Sequence, residues 1–254
     1  MNDESEDSQR NLGDYVRDYK SLPYENTQEG FRRIELRKAL DGFLWESLVE
    51  VGCGNNSITA LLRDFKRAVI IEPVKELLER NLLDRKSDVR LSGFHGYLSQ
   101  FGQRSNEKFD VCVLSSLLHE VEDQSGMLTD CWNILNNDGR LVVNVPNAMS
   151  LHRILGLNKG LIKSVFEISE TQKRMQQHCP PFSTESLERL LRHSGFAIQR
   201  IYTVIPKPFD HKSMSEFLNL GIISEGFLDQ LNTMSEVFDP FGSEIMAICM
   251  KAAS

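Results

Sequence analysis

The stretch that decides the fold is SLVEVGCGNNS, residues 47–57. It opens with a short apolar run typical of a buried strand, passes through Gly52 and Gly54, and leads into an apolar stripe with helical spacing. Glycines at this point let the backbone turn tightly and let a ligand approach without a Cβ in the way. The stretch therefore predicts a strand, a ligand-binding loop and a helix in direct succession.

The same alternation continues along the chain. Further apolar runs predict strands: AVIIE (68–72), DVRLS (88–92), FDVCVLSS (109–116), GRLVVNV (139–145), FAIQRIYTVI (196–205) and SEIMAICMK (243–251). Short continuous apolar runs are typical of buried parallel strands, and their alternation with helical stripes indicates an α/β fold with a doubly wound sheet. The helix before the fifth strand is predicted to end in a turn at Asn137-Asp138-Gly139.

Composition and periodicity predict the domain organisation. Residues 1–26 are polar and acidic and predict a flexible arm, whereas residues 27–254 predict a single domain. Residues 147–181 contain no evident strand and predict a helical insertion after the fifth strand, either a lid or a dimer surface, so a homodimer stays open. Cations interleave with the apolar stripe of the first helix and favour a solvated face: Arg32, Arg33, Arg37 and Lys38.

The overall composition excludes several classes of protein. Of 254 residues, 41 % are apolar and 26 % charged, which is typical of a folded domain, and the net charge of −7 argues against nucleic-acid binding through a broad basic surface. The five cysteines form no Cys-x-x-Cys pair, which argues against a disulfide framework or a zinc site. The acidic start is unlike a secretory signal, and no run reaches the ~20 apolar residues of a membrane span. We expect a cytoplasmic protein with no metal, no nucleic-acid partner and no transmembrane segment.

The glycine loop does not match two common nucleotide-binding motifs. Position 57 is Ser, so the dinucleotide fingerprint G-x-G-x-x-G fails, and the Lys of a phosphate-binding P-loop is missing. An acid two residues before the first glycine, Glu50, suits a cationic or amino-bearing ligand better than a pyrophosphate. VEVGCGNN, residues 49–56, resembles the first motif of the class I S-adenosylmethionine-dependent methyltransferases, an acidic residue followed by x-G-x-G.

Later blocks of sequence extend this resemblance. IIEP (70–73) ends the second strand with an acid, FDVCVLSSLLHEVED (109–123) is similar to the family's fourth-strand block, and LNNDGRLVVNVPN (135–147) to its post-helix turn and strand. SEIMAICMK stands where the family has an antiparallel seventh strand. The resemblance implies a Rossmann-like seven-stranded sheet, mostly parallel with the last strand antiparallel. It also implies S-adenosylmethionine as cofactor and S-adenosylhomocysteine as product.

The resemblance assigns cofactor contacts as well. Glu72 is expected to accept hydrogen bonds from the ribose hydroxyls, and Phe94 and His95 to flank the adenine. The full set of implied contacts is Glu50, Gly52, Cys53, Gly54, Asn55, Glu72, Pro73, Phe94, His95, Ser115 and Leu117. From the residues alone, alternatives stay open: a plain tight turn for the glycines, a charge at a helix N-terminus for Glu72, and a buried acid that caps backbone amides for Glu50.

Two histidines are candidates for a catalytic base. Methyl transfer from a sulfonium is an in-line displacement in which positioning dominates, and a hydroxyl acceptor is helped by a group that takes its proton. His119 ends the fourth-strand block beside the expected position of the methyl group, and histidine has a suitable ordinary pKa. His178 is the second candidate, because a similar His lies near the acceptor pocket in some relatives. Either histidine also fits a merely structural role, in a closing loop or at a hinge.

The prediction of the acceptor depends mainly on the insertion. The sequence of the insertion is similar to that of bacterial methyltransferases of the broad UbiG-like group, which includes members that act on small metabolites or sugar and glycan precursors. We therefore expect methylation of such an acceptor, with oxygen favoured. N-methylation, methylation of a quinone precursor and a S-adenosylmethionine-binding module without turnover stay as alternatives. Arg153, Lys159 and Lys163 fit either a solvated helix face or a site for a phosphate.

Overall fold

The computed structural model describes residues 24–83, 85–174, 177 and 179–252. Most of the predicted arm, residues 1–23, lies outside these ranges. The first helix begins at Glu25, and both Tyr24 and Glu25 are buried. The folded domain therefore starts before the predicted boundary at residue 27, because the first helical turn already packs against the rest of the protein.

Strands and helices alternate as the sequence predicts, except after the glycine loop, where a 3₁₀ turn of four residues stands in place of the predicted helix. The described strands are β1 Ser47–Val51, β2 Arg67–Glu72, β3 Leu91–His95, β4 Phe109–Ser115, β5 Leu135–Pro146, β6 Phe196–Val204 and β7 Glu244–Lys251. The described α-helices are α1 Glu25–Asp41, α2 Lys75–Leu83, α3 Leu98–Arg104, α4 Gln124–Ile134, α5 Leu151–Asn158, α6 Glu170–Arg174, α7 Thr184–His193, α8 His211–Asn219 and α9 Glu225–Thr233. Short 3₁₀ turns cover Ile58–Leu61 and Leu118–Glu120. None of the helices in the described ranges has the length and apolarity that a membrane crossing needs.

The seven strands form one sheet in the order β3-β2-β1-β4-β5-β7-β6. β7 pairs antiparallel with both β5 and β6, and the other pairings are parallel. This confirms the predicted doubly wound, Rossmann-like sheet with an antiparallel last strand. The strand order reverses between β1 and β4, and in open α/β sheets the crevice for ligands forms outside the carboxyl ends of the strands at such a reversal.

The central strands are buried on both faces, which explains their continuous apolar runs. Val49 and Leu114 belong to the core on the side of α3, α4 and α7, whereas Leu48 and Val113 belong to the core under α1. α4 ends at Ile134 and β5 begins at Leu135, so the helix ends before the predicted turn at residues 137–139. Leu135 pairs with Phe109 and Arg140 with Val111, so residues 136–139 loop out of the pairing with β4, and a Cβ on Gly139 would lie 2.9 Å from the carbonyl oxygen of Asn136. The turn therefore lies within the span of β5.

Candidate cofactor and acceptor cleft

A cavity of about 2110 Å³ opens where the carboxyl ends of the parallel strands meet. The glycine loop after β1 and the turn after β4 contribute to its wall, and α1 and the insertion contribute further residues. Sites for a single small ligand are commonly about 300–1,000 Å³. The space is therefore large enough for two small molecules to lie side by side.

The glycine loop adopts a backbone that favours glycine. Gly52 has φ +75° and Gly54 has φ +53°, and both line the cavity. A Cβ atom on Gly52 would lie 3.2 Å from Cδ2 of Leu117, whereas a Cβ on Gly54 would meet no heavy atom within 4 Å. Asn55 is not part of the cavity lining, and its carbonyl and side-chain oxygens accept hydrogen bonds from Arg80. Of the two glycines, only Gly54 therefore faces open space.

Glu72 ends β2 and holds this loop in place. One carboxylate oxygen accepts the backbone N–H of Cys53 at 3.0 Å, and the other accepts that of Val74 at 3.0 Å. Burial raises the pKa of Glu72, and these hydrogen bonds oppose the rise. Carboxylate oxygens have further lone pairs, and Glu72 and Pro73 both line the cavity. Glu72 can therefore organise the loop and accept hydrogen bonds from a ligand.

Glu50 also serves the loop. Its side chain is buried on β1, where one oxygen accepts the backbone N–H of Ile58 at 2.9 Å and the other accepts the hydroxyl of Ser57. This matches the alternative in which a buried acid caps backbone amides. Burial raises the pKa of Glu50 to about 7, because desolvation of the charged carboxylate outweighs the two hydrogen bonds.

Glu50→Gln is expected to flatten the pH dependence of stability. The pKa of Glu50 rises from 4.5 to about 7 on folding, so between these values the folded protein binds the proton more tightly than the unfolded chain. The stability that the folded protein gains by binding this proton more tightly is fully present below pH 4.5 and is lost as the pH rises through 7. The free energy of unfolding therefore falls by roughly 1–3 kcal/mol across this range. Urea unfolding across this window measures the effect, and Gln retains an acceptor for Ile58. Parallel pH profiles for the variant and the wild type would contradict it.

α1 contributes to the cleft in a way that the sequence analysis missed. Glu29 accepts hydrogen bonds from the backbone and side chain of Asn56 at 3.1 and 3.0 Å. Arg33 donates to the carbonyl oxygen of Ser57 at 3.0 Å, and its Nε is buried without a hydrogen-bond acceptor among the described residues. The prediction of a solvated face is wrong for Arg32 and Arg33. Arg32 and the buried Leu36 are four residues apart and therefore share one face of the helix, and this spacing could have predicted that Arg32 is buried.

The two residues expected to flank an adenine lie beside the cavity rather than in it. Phe94 packs edge-on against Phe101, with ring centroids 5.3 Å apart. His95 is exposed, and its Nε2 lies 3.0 Å from the carbonyl oxygen of Pro73. The cavity wall instead takes in residues 96–100, which include the half-exposed ring of Tyr97. The wall therefore begins just beyond the predicted pair, where the chain turns from β3 into α3.

The turn after β4 carries the predicted histidine. Ser115, Leu117 and His119 all line the cavity, and only 3 % of His119 is exposed. Its Nε2 lies 3.9 Å from a carboxylate oxygen of Glu120, and that oxygen accepts a hydrogen bond from Nε2 of Gln177 at 2.8 Å. Gln177 belongs to the predicted insertion. His178, the other candidate base, lies outside the described residues.

The insertion lies along the cavity. His152, Gly156 and Ile162 contribute to the wall. Arg153 donates to the backbone carbonyl oxygens of Val165, at 2.7 Å, and of Glu167, so it ties the insertion to itself. A phosphate site built on Arg153 is thus not favoured. Lys159 and Lys163 are exposed.

A buried polar cluster forms another part of the wall. The guanidinium of Arg32 donates to Glu244 at the start of β7, with the shortest distance 2.6 Å, and to Glu25 at 3.2 Å. Gln28 donates to the same Glu244 at 2.6 Å and accepts a hydrogen bond from Nζ of Lys207 at 2.9 Å. No local sequence motif predicts this cluster, because α1, β7 and the loop after β6 are far apart in sequence.

Comparisons with known proteins agree with this geometry. The family model described as "Methyltransferase domain" matches residues 20–201. The mitochondrial ubiquinone biosynthesis O-methyltransferases of Homo sapiens and Bos taurus are 25 % and 26 % identical to this chain. Each match covers 68 % of this chain and 48 % of the relative. The chain thus matches about half the length of these curated relatives.

Solved structures share the fold at low identity. The N-methyltransferase NodS from Bradyrhizobium japonicum, in complex with S-adenosylhomocysteine, has a TM-score of 0.57 at 15 % identity and covers 92 % of this chain and 90 % of its own. The 1,6-didemethyltoxoflavin-N1-methyltransferase of Burkholderia thailandensis, also with S-adenosylhomocysteine, has a TM-score of 0.60 at 15 % identity and covers 95 % and 89 %.

The cleft has groups that suit S-adenosylmethionine. Gly54 leaves open space at its Cβ position, Glu72 has carboxylate lone pairs that would accept from ribose hydroxyls, and the buried Nε of Arg33 is a donor that a carboxylate of the cofactor would satisfy. With the family match over most of its length, the chain belongs to the methyltransferase domain family, within the class I S-adenosylmethionine-dependent methyltransferases.

Proposed function

We propose that this chain transfers the methyl group of S-adenosylmethionine to an oxygen atom of a small molecule. The observation that carries the choice of oxygen is the buried His119 on the cavity wall, next to the carboxylate of Glu120. A hydroxyl must lose its proton as the new bond forms, whereas an amine that arrives neutral needs no strong base. The human and bovine relatives are named as O-methyltransferases, which supports the same choice.

Different residues of the cleft have different roles in this reaction. When bound, the cofactor supplies an electrophilic methyl carbon. Glu72, the glycine loop and Arg33 hold the donor, and the insertion limits the access of water to the cavity. The ring of His119 takes the proton of the acceptor, and the carboxylate of Glu120, 3.9 Å away, stabilises the positive charge that the ring acquires. Gln177 fixes that carboxylate by its hydrogen bond.

A nitrogen acceptor is the second candidate. The NodS and didemethyltoxoflavin enzymes are named N-methyltransferases, and their fold matches along nearly the whole of this chain. The two candidates differ in their dependence on a base, so the behaviour of His119 variants separates them. A small metabolite, a sugar or glycan precursor and a quinone precursor are the acceptor classes that we propose to screen.

The proposal is tested by following an isotopically labelled methyl group. Purified protein is first titrated with S-adenosylmethionine, S-adenosylhomocysteine and, as a control, NAD. It is then incubated with methyl-¹³C-labelled S-adenosylmethionine and fractionated metabolites. The carbon chemical shift of the product separates O-methyl from N-methyl groups. Label on oxygen supports the proposal, label on nitrogen favours the second candidate, and tight donor binding without transfer to any fraction favours a binding module.

Glu72 variants are expected to weaken cofactor binding. Glu72→Ala removes the proposed acceptor for the ribose and the acceptor for the Cys53 amide, so we expect the Kd for S-adenosylhomocysteine to rise by about 10- to 100-fold. Glu72→Gln retains one oxygen acceptor and should lie between the alanine variant and the wild type. Calorimetry measures the affinity, and Glu79→Ala, an exposed acid on α2, is the matched control. Equal affinities in all four proteins would remove Glu72 from the cofactor site.

A further inference from the structure

A side chain from α2 stands between the two ends of a turn in the glycine loop, at residues 54–57. Oδ1 of Asn81 accepts the backbone N–H of Ser57 at 2.7 Å, and Nδ2 of Asn81 donates to the carbonyl oxygen of Gly54 at 3.1 Å. In a closed β-turn, the first carbonyl and the fourth N–H of the turn bond to each other directly. The side-chain amide of Asn81 therefore bridges two backbone groups that a closed turn joins without it.

This bridge requires the chemistry of a side-chain amide. It needs one acceptor and one donor at the end of the same short side chain, which asparagine offers, whereas an ionised carboxylate only accepts and an aliphatic side chain does neither. Nδ2 of Asn81 also donates to the carbonyl oxygen of Leu77, at 2.9 Å, and to Sγ of Cys53, at 3.3 Å. Because Leu77 lies one turn earlier on α2, the bridging amide is anchored to its own helix.

Other side chains hold the same loop from other directions. Glu72 accepts the backbone N–H of Cys53, the residue before the turn, and Glu29 accepts hydrogen bonds from Asn56 within the turn. Asn81 differs from both because it bonds to the first and to the last residue of the turn. The separation of these two residues therefore depends on Asn81.

We infer that Asn81 is a positioning residue for the methyl donor, because it sets the shape of the loop against which S-adenosylmethionine binds. Asn81 is not part of the cavity lining, whereas Gly54 at the start of the bridged turn and Ile58 just after it are. A binding surface has to be held within about 0.5 Å of its productive geometry by the groups behind it. The inference rests on the proposed function, in which the glycine loop holds the donor.

Two substitutions test this role. Asn81→Leu keeps much of the side-chain volume and removes both halves of the bridge. Asn81→Asp keeps the acceptor for Ser57 but places an oxygen against the carbonyl oxygen of Gly54. In both variants we expect the Kd for S-adenosylhomocysteine, measured by calorimetry, to rise about 10-fold or more, since a backbone group of the loop loses its partner. Wild-type affinity in either variant would overturn the inference.

Hydrogen exchange of the Ser57 amide separates the two halves of the bridge. Because this N–H donates to Oδ1 of Asn81, its exchange with solvent, followed by NMR, should be about 10-fold or more faster in Asn81→Leu than in the wild type. In Asn81→Asp, which keeps that acceptor, the exchange rate should stay close to the wild-type value. Wild-type exchange in Asn81→Leu would mean that the bridge does not hold the turn, which would overturn the inference.

Controls separate this role from folding and from the proposed cofactor site. Asn133→Leu makes the same change at an exposed position of α4 outside the cavity lining and should leave the Kd unchanged; an equal loss of affinity there would overturn the inference. Titrations are made well below the unfolding midpoint of each variant, so that a loss of stability alone leaves the Kd unchanged. Should Asn81→Leu fail to fold, Asn81→Asp carries the same test of affinity. If Glu72→Ala weakens binding and the Asn81 variants do not, the inference fails while the proposed cofactor site stands; if none of them changes the Kd, both fail.

Discussion

Replacing His119 with alanine is expected to lower turnover about 100-fold or more, while the affinity for S-adenosylmethionine stays at the wild-type value. The side chain is buried in the cavity wall just after β4, and in the proposed reaction its ring takes the proton of the acceptor while Glu120 stabilises the charged ring. Its removal takes away the proton acceptor but none of the groups proposed to bind the donor. Initial rates with a hydroxyl acceptor, together with calorimetry of the donor, measure both quantities.

His193→Ala is the matched control for this prediction. His193 is exposed at the end of α7, outside the cavity lining, so its loss should leave both rate and affinity unchanged. A His119 variant that retains wild-type turnover would remove His119 as the base and direct attention to His178. A variant that loses donor affinity to the same degree as turnover would show that His119 acts by holding the cofactor.

The second large effect is expected for Gly52→Val, which should weaken cofactor binding about 100-fold or more. Gly52 has φ +75°, a conformation that a β-branched residue rarely adopts, and its Cβ would press on Leu117 at 3.2 Å. Both Gly52 and Leu117 line the cavity, so any adjustment of the loop changes the surface that the donor meets. Calorimetry with S-adenosylhomocysteine measures the loss.

Backbone strain alone has to be separated from damage to the site. Gly221 has φ +67° and no heavy atom within 4 Å of its Cβ position, and it lies outside the cavity lining. Gly221→Val therefore carries a similar backbone penalty, of order 1–3 kcal/mol, and should bind the cofactor normally. If the two variants bind equally well, the glycine loop is only a turn between β1 and its following 3₁₀ helix.

The parts of the site that could be predicted are those that short local sequence motifs encode. Gly52, Glu72 and His119 each stand at or just beyond the end of a buried parallel strand, and such ends meet at one edge of a sheet. The continuous apolar runs specify those strands because each is covered on both faces. The strand pattern and the resemblance together therefore led to residues that line one cavity.

The rest of the site depends on contacts that no local pattern encodes. Arg32 is buried against Glu244, which is 212 positions away at the start of β7, whereas the neighbouring cations Arg37 and Lys38 are exposed as predicted. Lys207 likewise owes its position to Gln28 on α1. Phe94 and His95 stand just before residues 96–100 of the cavity wall, and the path of a loop after a strand is set by packing rather than by periodicity.

The hydrogen bond between Arg32 and Glu244 has a consequence for the chain while it is being made. α1 leaves the ribosome long before β7, and synthesis at about 5–20 residues per second separates the two partners, 212 positions apart, by roughly 10–40 s. β1 to β4, which supply the glycine loop and His119, are complete well before that moment. The contact between Arg32 and Glu244 on the cavity wall therefore forms only after the strands that carry the glycine loop and His119 have been synthesised.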